Sequence, residues 1–475
     1  MKRVIKKILS PLANFSRKIW HNLNKRSVDE ILKKVSLSLN ENFEAEKQKI
    51  GDERQSIKNE IQSLRESVSN VNEKIALTVE QFREKIKEND ILPPVFAKYK
   101  EKTIVVHPCD PRYCTTCLAC MNVCPVGAIE KTEDSEGFYI IKVNAEKCVG
   151  CKKCVEVCHV NKPKSIVQRV PKILYAAKSN DDELRLKSSS GGLFALFANH
   201  VLSQRGVVFG AAFDEDFKVH HIAVENLDEL EKLRGSKYVQ SDVGRTFSDV
   251  KTALESGKKV LYSGTPCQIA GLRNFIGLQK NLYTIDVVCH GVPSPKFFED
   301  YKQSLEKLYG KIISYDFRCK TAEVPNSFQL GWKEYGTRVE FDSGTVLYET
   351  RLDNIFMKGF LQELTNRPVC HRCPYAVGKR AGDITLGDFW GYQELNGDMK
   401  DDDKGISALL INSEKGMKLF SEIKDRIIFF ERDLKILQDC NRPLKAPSLL
   451  NPDRENFWNA YNEFGFDYAC ERYFK

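Results

Sequence analysis

The chain has 475 residues, too many for one ordinary core, so two or three folded units with connecting segments are expected. With 42% hydrophobic and 29% charged residues, and no apolar run near the roughly 18 residues of a spanning helix, the composition predicts a chain that does not cross a membrane. The formal net charge of +8 is localised, because Lys2, Arg3, Lys6, Lys7, Arg17, Lys18, Lys25 and Arg26 lie in residues 1–27 without an acid. The remainder is close to neutral and carries no nucleic-acid recognition module, so nucleic acid is not expected as a partner.

Residues 1–27 interleave this charge with Ile5, Ile8, Leu9, Leu12, Phe15, Ile19 and Trp20, the spacing of a basic amphipathic arm lying on an anionic surface. Pro11 interrupts it, and a disordered basic arm or a helix docked on protein fits the same residues. Lys6 and Lys7 break the early apolar stretch, so there is no secretory pattern. The expected location is cytoplasmic, peripheral at the inner membrane face if the arm binds there. In residues 28–90, Ile57, Ile61, Leu64, Val68, Val71 and Ile75 follow at intervals of 4, 3, 4, 3 and 4, a heptad seam predicting a helical coiled coil and a homo-oligomer. One long helix folded back on the rest of the protein is the alternative. Asn89, Asp90, Pro93 and Pro94 end the pattern and make residues 91–105 a linker.

Residues 106–168 hold the strongest signal. Sixteen cysteines in a chain without an export signal read as metal ligands rather than disulfides. Cys114, Cys117, Cys120 and Cys124 with Pro125 match C-x2-C-x2-C-x3-C-P, and Cys148, Cys151, Cys154 and Cys158 repeat the spacing 34 residues later. In this arrangement three thiolates of one loop cap a 4Fe-4S cube and the fourth reaches the other cube. Cys114, Cys117, Cys120 and Cys158 are therefore assigned to one cluster, and Cys148, Cys151, Cys154 and Cys124 to the other. Zinc also takes four thiolates, but its sites use paired C-x2-C groups without this crossover. Two linked clusters carry single electrons, so two-electron chemistry is expected further along the chain.

From residue 169 to 440 short β-branched and aromatic runs alternate with amphipathic stretches. Strands are predicted at Val207 to Phe213, Lys259 to Ser263 and Tyr283 to Val288, and helices at Leu193 to Ser203, Val243 to Glu255, Gln268 to Phe275 and Pro295 to Tyr309. Residues 312–350 read as antiparallel strands, 413–438 as helix, and 441–475 as a C-terminal tail. The fold class is thus α+β: a two-cluster ferredoxin-like domain and a mixed α/β domain, preceded by a helical coiled-coil extension. Lys187-Ser188-Ser189-Ser190-Gly191-Gly192 before the Leu193 helix suits a phosphate at a helix N-terminus, or a plain cap. Two strands run into Gly264-Thr265-Pro266-Cys267-Gln268 and Cys289-His290-Gly291, which puts both thiols at the carboxyl ends of neighbouring strands, where ligands gather. Cys370-His371-Arg372-Cys373 leads into the Gly382 to Gly391 block. Arg318 and Lys320 read equally as a charge pair for an anion or as a solvated strand edge. His290 and His371 each follow a candidate ligand, and ordinary structural histidines are the commoner case.

Together with Gly235-Ser236-Lys237-Tyr238, these motifs resemble the family of the coenzyme F420 hydrogenase/dehydrogenase beta subunit, with its frequent two-cluster ferredoxin domain, over roughly residues 105–440. The resemblance implies that the mixed α/β domain is a flavin-binding domain and the chain an FAD-dependent iron-sulfur oxidoreductase, exchanging electrons with a donor or acceptor protein or reduced cofactor, and acting on an organic substrate or the deazaflavin coenzyme F420. The alternative is a non-catalytic electron-transfer subunit of a larger complex. By the same resemblance Ser189, Ser190, Gly191, Gly192, Gly235, Ser236, Lys237, Tyr238, Gly264, Thr265 and Pro266 are FAD contacts. Cys267, Cys289, Cys370 and Cys373 supply the ligand number of a third 4Fe-4S cluster. Two rival readings stay open: Cys267 as a thiolate whose pKa is lowered at a helix N-terminus, or Cys370 and Cys373 as a redox or zinc pair. Cys109, Cys319, Cys440 and Cys470 are left over as ordinary buried or solvent-facing thiols, and no catalytic residue is assigned.

Overall fold

The computed structural model describes residues 95–99, 102–164, 169–320, 323–324, 328–394 and 398–474, with short helical stretches between residues 30 and 66. It divides into two units, Met1–Asp90 and Ile91–Lys475. In the first, residues 54–63 are helical and exposed, Ile57 and Ile61 included. The rest of the heptad seam and the basic arm lie outside the described residues. No helix among the described residues is long and apolar enough to cross a membrane.

The second unit opens with a hairpin, β1 (Val95–Tyr99) against β2 (Lys102–His107), in the segment read as linker. Only the prolines at 93 and 94 punctuate the chain; Ile104 and Val105 are buried, and their burial draws the following residues into a strand. The doubled cysteine motif is a structural repeat. Thr116 and Gly150, 34 positions apart, both have left-handed backbone (φ 46° and 70°), as do Leu118 and Lys152 (both φ 60°). These residues bend each loop between its first and third cysteines and start two five-residue helices, α1 (Ala119–Val123) and α2 (Lys153–Val157), which pack together. An antiparallel hairpin, β3 (Ile129–Glu133) with β4 (Tyr139–Val143), joins the halves.

The larger domain is built on an eight-stranded sheet. Its elements are β5 (Ile173–Ser179), α3 (Asp182–Leu186), α4 (Leu193–Ser203), β6 (Val207–Phe213), β7 (Val219–Val224), α5 (Thr246–Glu255), β8 (Val260–Gly264), α6 (Pro266–Ile276), β9 (Leu282–Val287) and α7 (Pro295–Tyr309). Then follow β10 (Ile312–Cys319), β11 (Gly336–Phe341), β12 (Val346–Thr350), α8 (Ile355–Leu361), β13 (Ile384–Asp388), β14 (Ser407–Ile411), α9 (Glu414–Ser421), β15 (Ile427–Arg432), α10 (Leu434–Cys440), α11 (Arg454–Phe464) and α12 (Phe466–Tyr473). The sheet order is β15-β5-β14-β13-β9-β8-β6-β7. Its four central strands, β13, β9, β8 and β6, run parallel, and the flanking strands are antiparallel. Leu261, Ile285 and Ile384 sit in one core with Leu193, Leu196 and Phe197 of α4, while Val260, Tyr262 and Leu282 face Phe247 and Ile269 on the other side. Burial on both faces accounts for the unbroken apolar runs of these strands.

Residues 312–350 form the antiparallel sheet β10-β11-β12. Two segments differ from expectation. Within 413–438, helices α9 and α10 flank an edge strand, because the Ile427-Ile428-Phe429-Phe430 run pairs with β5. Residues 441–475 are not a tail: α11 and α12 carry Phe457, Trp458 and Tyr461 into an aromatic core with Phe297, Phe298 and Phe356.

Candidate functional site

The eight ferredoxin cysteines fall into two groups. Cys124, Cys148, Cys151 and Cys154 line one small cavity with Val126 and Val149. Cys114, Cys117, Cys120 and Cys158 line another, so each group joins three cysteines of one loop to the last cysteine of the other. The groups differ in setting. Cys151 is exposed, whereas Cys117, Cys120 and Cys158 are buried against α6, where a Cβ on Gly271 would lie 2.6 Å from the Cys117 sulfur. Among the described residues no three His, Cys, Asp or Glu side chains converge on a position for a single metal ion. Four thiols set around a cavity and drawn from two loops match a cube of four irons, which takes its thiolates at separate corners.

The sequence missed Cys109 here. It lines the same cavity with its sulfur 3.9 Å from His107 Nδ1, and the neighbouring Cys114 and Cys158 drive its pKa far up. His107 Nδ1 lies 2.6 Å from the Cys109 carbonyl. His159, which replaces the proline of the first motif, is buried with one ring nitrogen 3.0 Å from the Thr115 hydroxyl and the other 2.8 Å from the Tyr375 hydroxyl. Burial holds it neutral, with a pKa near 4.

At the carboxyl ends of β8, β9 and β13 lies a cavity of about 630 Å³, within the range of cofactor sites. Of the predicted flavin contacts, Ser189, Ser190, Gly192, Gly235, Ser236, Lys237, Tyr238, Gly264 and Thr265 line it. Gly191 and Pro266 do not. Gly191 donates to the Ser407 hydroxyl at 2.9 Å, and a Cβ there would meet the Ala177 carbonyl at 2.7 Å, so this glycine lets the turn lie on the sheet. Pro266 is buried as the first residue of α6, where its fixed φ suits the helix start.

One wall of the cavity presents a helix N-terminus and a half-buried lysine. Gly192 caps α4 in a left-handed conformation without a side-chain cap, leaving first-turn N–H groups at Leu193, Phe194 and Ala195, all in the lining. Ser189 Oγ accepts from Ser236 N at 2.8 Å and from Ser236 Oγ at 2.9 Å, which ties the two loops together. Lys237 is held by the Lys232 and Arg234 carbonyls at 2.9 and 2.7 Å, and burial lowers its pKa to about 7.

Arg318 and Lys320 are not a solvated edge; both are buried. Arg318 lines the cavity, pairs with Asp388 at 2.9 Å, donates to Tyr238 Oη at 3.1 Å and lies 3.8 Å from the Tyr335 ring centre. Burial opposes its charge, but Asp388 outweighs this and raises its pKa. Trp332 Nε1 donates to the same carboxylate at 2.6 Å, and the Trp332 and Trp390 rings stack 5.0 Å apart. Lys320 donates to the carbonyls of Arg185, Lys404 and Ser190 at 2.6, 2.7 and 3.3 Å, pinning the serine turn.

Cys267, Cys289 and Cys370 line the opposite wall. Cys373 lies outside the lining; its pKa is pushed up to about 11 by burial and then by the nearby Cys267 charge. Burial also raises the pKa values of Cys267, Cys289 and Cys370, the last to about 12, and Cys370, Cys267 and Cys373 add to the effect at Cys289. At the α6 N-terminus the Cys267 sulfur lies 3.2 Å from the Thr265 hydroxyl, which works against the burial that raises its pKa. His290 also lines the cavity, edge-on to Phe360, and both His290 and His371 lie beside Glu363, at 3.4 and 3.6 Å. Of the remaining cysteines, Cys319 and Cys470 are buried and Cys440 is exposed at the cavity rim.

A dicluster ferredoxin module on a mixed α/β domain, with a third thiol group facing a cofactor-sized cavity, is the architecture of an iron-sulfur oxidoreductase component. Residues 99–162 match the 4Fe-4S dicluster domain, and residues 257–435 match the C terminus of the coenzyme F420 hydrogenase/dehydrogenase beta subunit. Over these segments the chain is similar to that family. It is 21% identical to the F protein of the F(420)H(2) dehydrogenase of Methanosarcina mazei, named there as a subunit, over 373 residues, 74% of this chain and 94% of the relative. It is 32% identical to the coenzyme F420-dependent sulfite reductase of Methanocaldococcus jannaschii over 173 residues, 34% of this chain but only 25% of that protein. A chain in the structure of the F420-reducing NiFe hydrogenase complex from Methanosarcina barkeri aligns with 64% of this chain and 92% of its own length, at 17% identity and a TM-score of 0.37.

Proposed function

We propose that the chain is an FAD-dependent iron-sulfur oxidoreductase relaying electrons between 4Fe-4S clusters and a flavin, to reduce or oxidise an organic substrate or a deazaflavin. One observation carries this reading: a single cavity has an uncapped helix N-terminus with a serine turn on one wall and three cysteines on another, and the buried ferredoxin loop, through Thr115 and Thr116, joins its lining. A flavin bound there supplies the conversion between single electrons and hydride. The chain's residues would receive its phosphates at α4, hold the serine turn through Lys320, and keep Arg318 and Asp388 beside the ring-lined end. Cys267, Cys289, Cys370 and Cys373 would hold a third cluster. The test is anaerobic purification with iron, sulfide and flavin assayed per chain. About eight irons supports two clusters and about twelve supports three, and a flavin-free, colourless protein ends the proposal.

The second reading, an electron-transfer subunit without chemistry of its own, is favoured by the naming of the M. mazei relative as one part of a dehydrogenase. Turnover of coenzyme F420 by the isolated chain with an artificial donor separates the two. Residues 28–90 are proposed to oligomerise the chain and residues 1–27 to bring it to an anionic membrane face. Unchanged mass and vesicle binding after deletion of residues 1–90 would refute both.

A further inference from the structure

Arg367 is buried, lines the large cavity, and has its backbone fixed by an N–H bond to the Val292 carbonyl at 2.9 Å. Its guanidinium reaches out of its own domain. It donates to the Thr115 carbonyl at 2.6 Å, to the Thr116 hydroxyl and to the Tyr139 carbonyl at 3.3 Å, all in the ferredoxin module. Among the described residues no carboxylate lies within ion-pair distance of it. A buried cation held only by neutral acceptors is costly unless negative charge sits nearby. The chemistry around it is sulfur: Thr115 and Thr116 lie between Cys114 and Cys117 of the inner ferredoxin loop, Cys370 N donates to the Arg367 carbonyl at 2.9 Å, and Cys267 and Cys370 line the same cavity as Arg367.

We infer that Arg367 is the shared counter-charge of the inner ferredoxin cluster and the cavity-side cysteine group, a positioning residue that joins the two and raises the reduction potential of both. This rests on the cluster reading above. When one electron leaves one cluster and arrives at the other, a fixed cation between them favours the extra negative charge on either side, and no proton need move. The Thr115 and Thr116 bonds also set the separation of the two sites, so both rate and potential depend on this side chain.

The experiment is an anaerobic redox titration of the full chain, followed by the electron-spin signals of each cluster, with iron and sulfide assayed alongside. In Arg367→Gln the inner cluster and the cavity-side cluster both become harder to reduce, and a shift confined to one of them overturns the shared role. At fixed poise the reduced-to-oxidised ratio of each is expected to fall about tenfold, about 59 mV for one electron, while the outer cluster is unmoved. Arg367→Lys restores most of the shift because it keeps the charge. Unaltered midpoints in Arg367→Gln at full iron content, or an equal fall in Arg367→Lys, overturn the inference. Should Arg367→Gln lose iron, Arg367→His carries the test: a midpoint that becomes pH-dependent supports it, and a pH-independent midpoint at the wild-type value overturns it. Wild-type protein without sulfide would instead refute the cluster reading itself.

Discussion

Lys320 has no carboxylate within ion-pair distance among the described residues and spends its three donors on three backbone carbonyls from separate segments. Lys320→Met leaves those carbonyls without a donor but also removes a buried charge, so a net loss of about 1–3 kcal/mol is expected, read as a lower urea midpoint at pH 7. Flavin retention should fall with it, because the Ser190 carbonyl belongs to the turn that opens α4. Burial brings Lys320 to a pKa of about 7, against about 10.4 for a free lysine. Below 7 both folded and unfolded chains hold the proton and the full cost of burial is felt. Between about 7 and 10 the unfolded chain binds more protons, so this residue's contribution to stability improves as pH rises. From pH 7 to 9 the urea midpoint should therefore rise more, or fall less, in wild type than in Lys320→Met; identical pH slopes would contradict the assignment. The sequence left Arg318 and Lys320 undecided because alternating charge along a strand looks the same at an edge and beneath a loop. Asp388, 70 residues away, settles it for Arg318, and that pairing exists only in three dimensions.

Among elements, the predicted strands and helices that hold the cavity appear within three residues of their expected bounds, β6, α4 and α7 to the residue. Apolar periodicity was enough where a strand is buried on both faces. It failed where pairing decided: the Val95–Tyr99 hairpin has a short, charged sequence, and Ile427–Arg432 becomes a strand only because β5 offers an edge. The packing of α6 on the inner ferredoxin loop was likewise unreadable, since Gly271 looks like an ordinary helical glycine. A side chain there would collide with both Cβ and sulfur of Cys117. Gly271→Val is therefore expected to lose the inner cluster, about four irons per chain, while the outer cluster's spectrum persists. Loss of all eight irons, or of none, would show that this contact does not position the loop.

For the whole second unit, the ferredoxin module is bolted to the larger domain rather than tethered to it. Arg454 of α11 pairs with Glu136 between β3 and β4, Tyr139 N donates to Gln240 Oε1 at 2.7 Å, and Asn122 Nδ2 donates to the Gly244 carbonyl at 2.9 Å. The cysteine stride revealed the module and the strand-end motifs revealed the cavity. Neither revealed the bolts, whose partners lie 101 to 318 residues apart in the chain. The aromatic core under α11 was equally hidden, because a helix after the last recognised motif looks like an appendage until its partners are in place.

The left-handed residues at 116 and 150, and at 118 and 152, make the two halves of the module near copies, yet only one of the eight cysteines, Cys151, is fully exposed. Identical chemistry with unequal access gives unequal lifetimes in air. Bleaching of the brown colour after aeration should proceed in two phases, the outer half decaying first and the inner half outlasting it behind α6. Replacing Val149 with a bulkier residue would be expected to slow only the early phase.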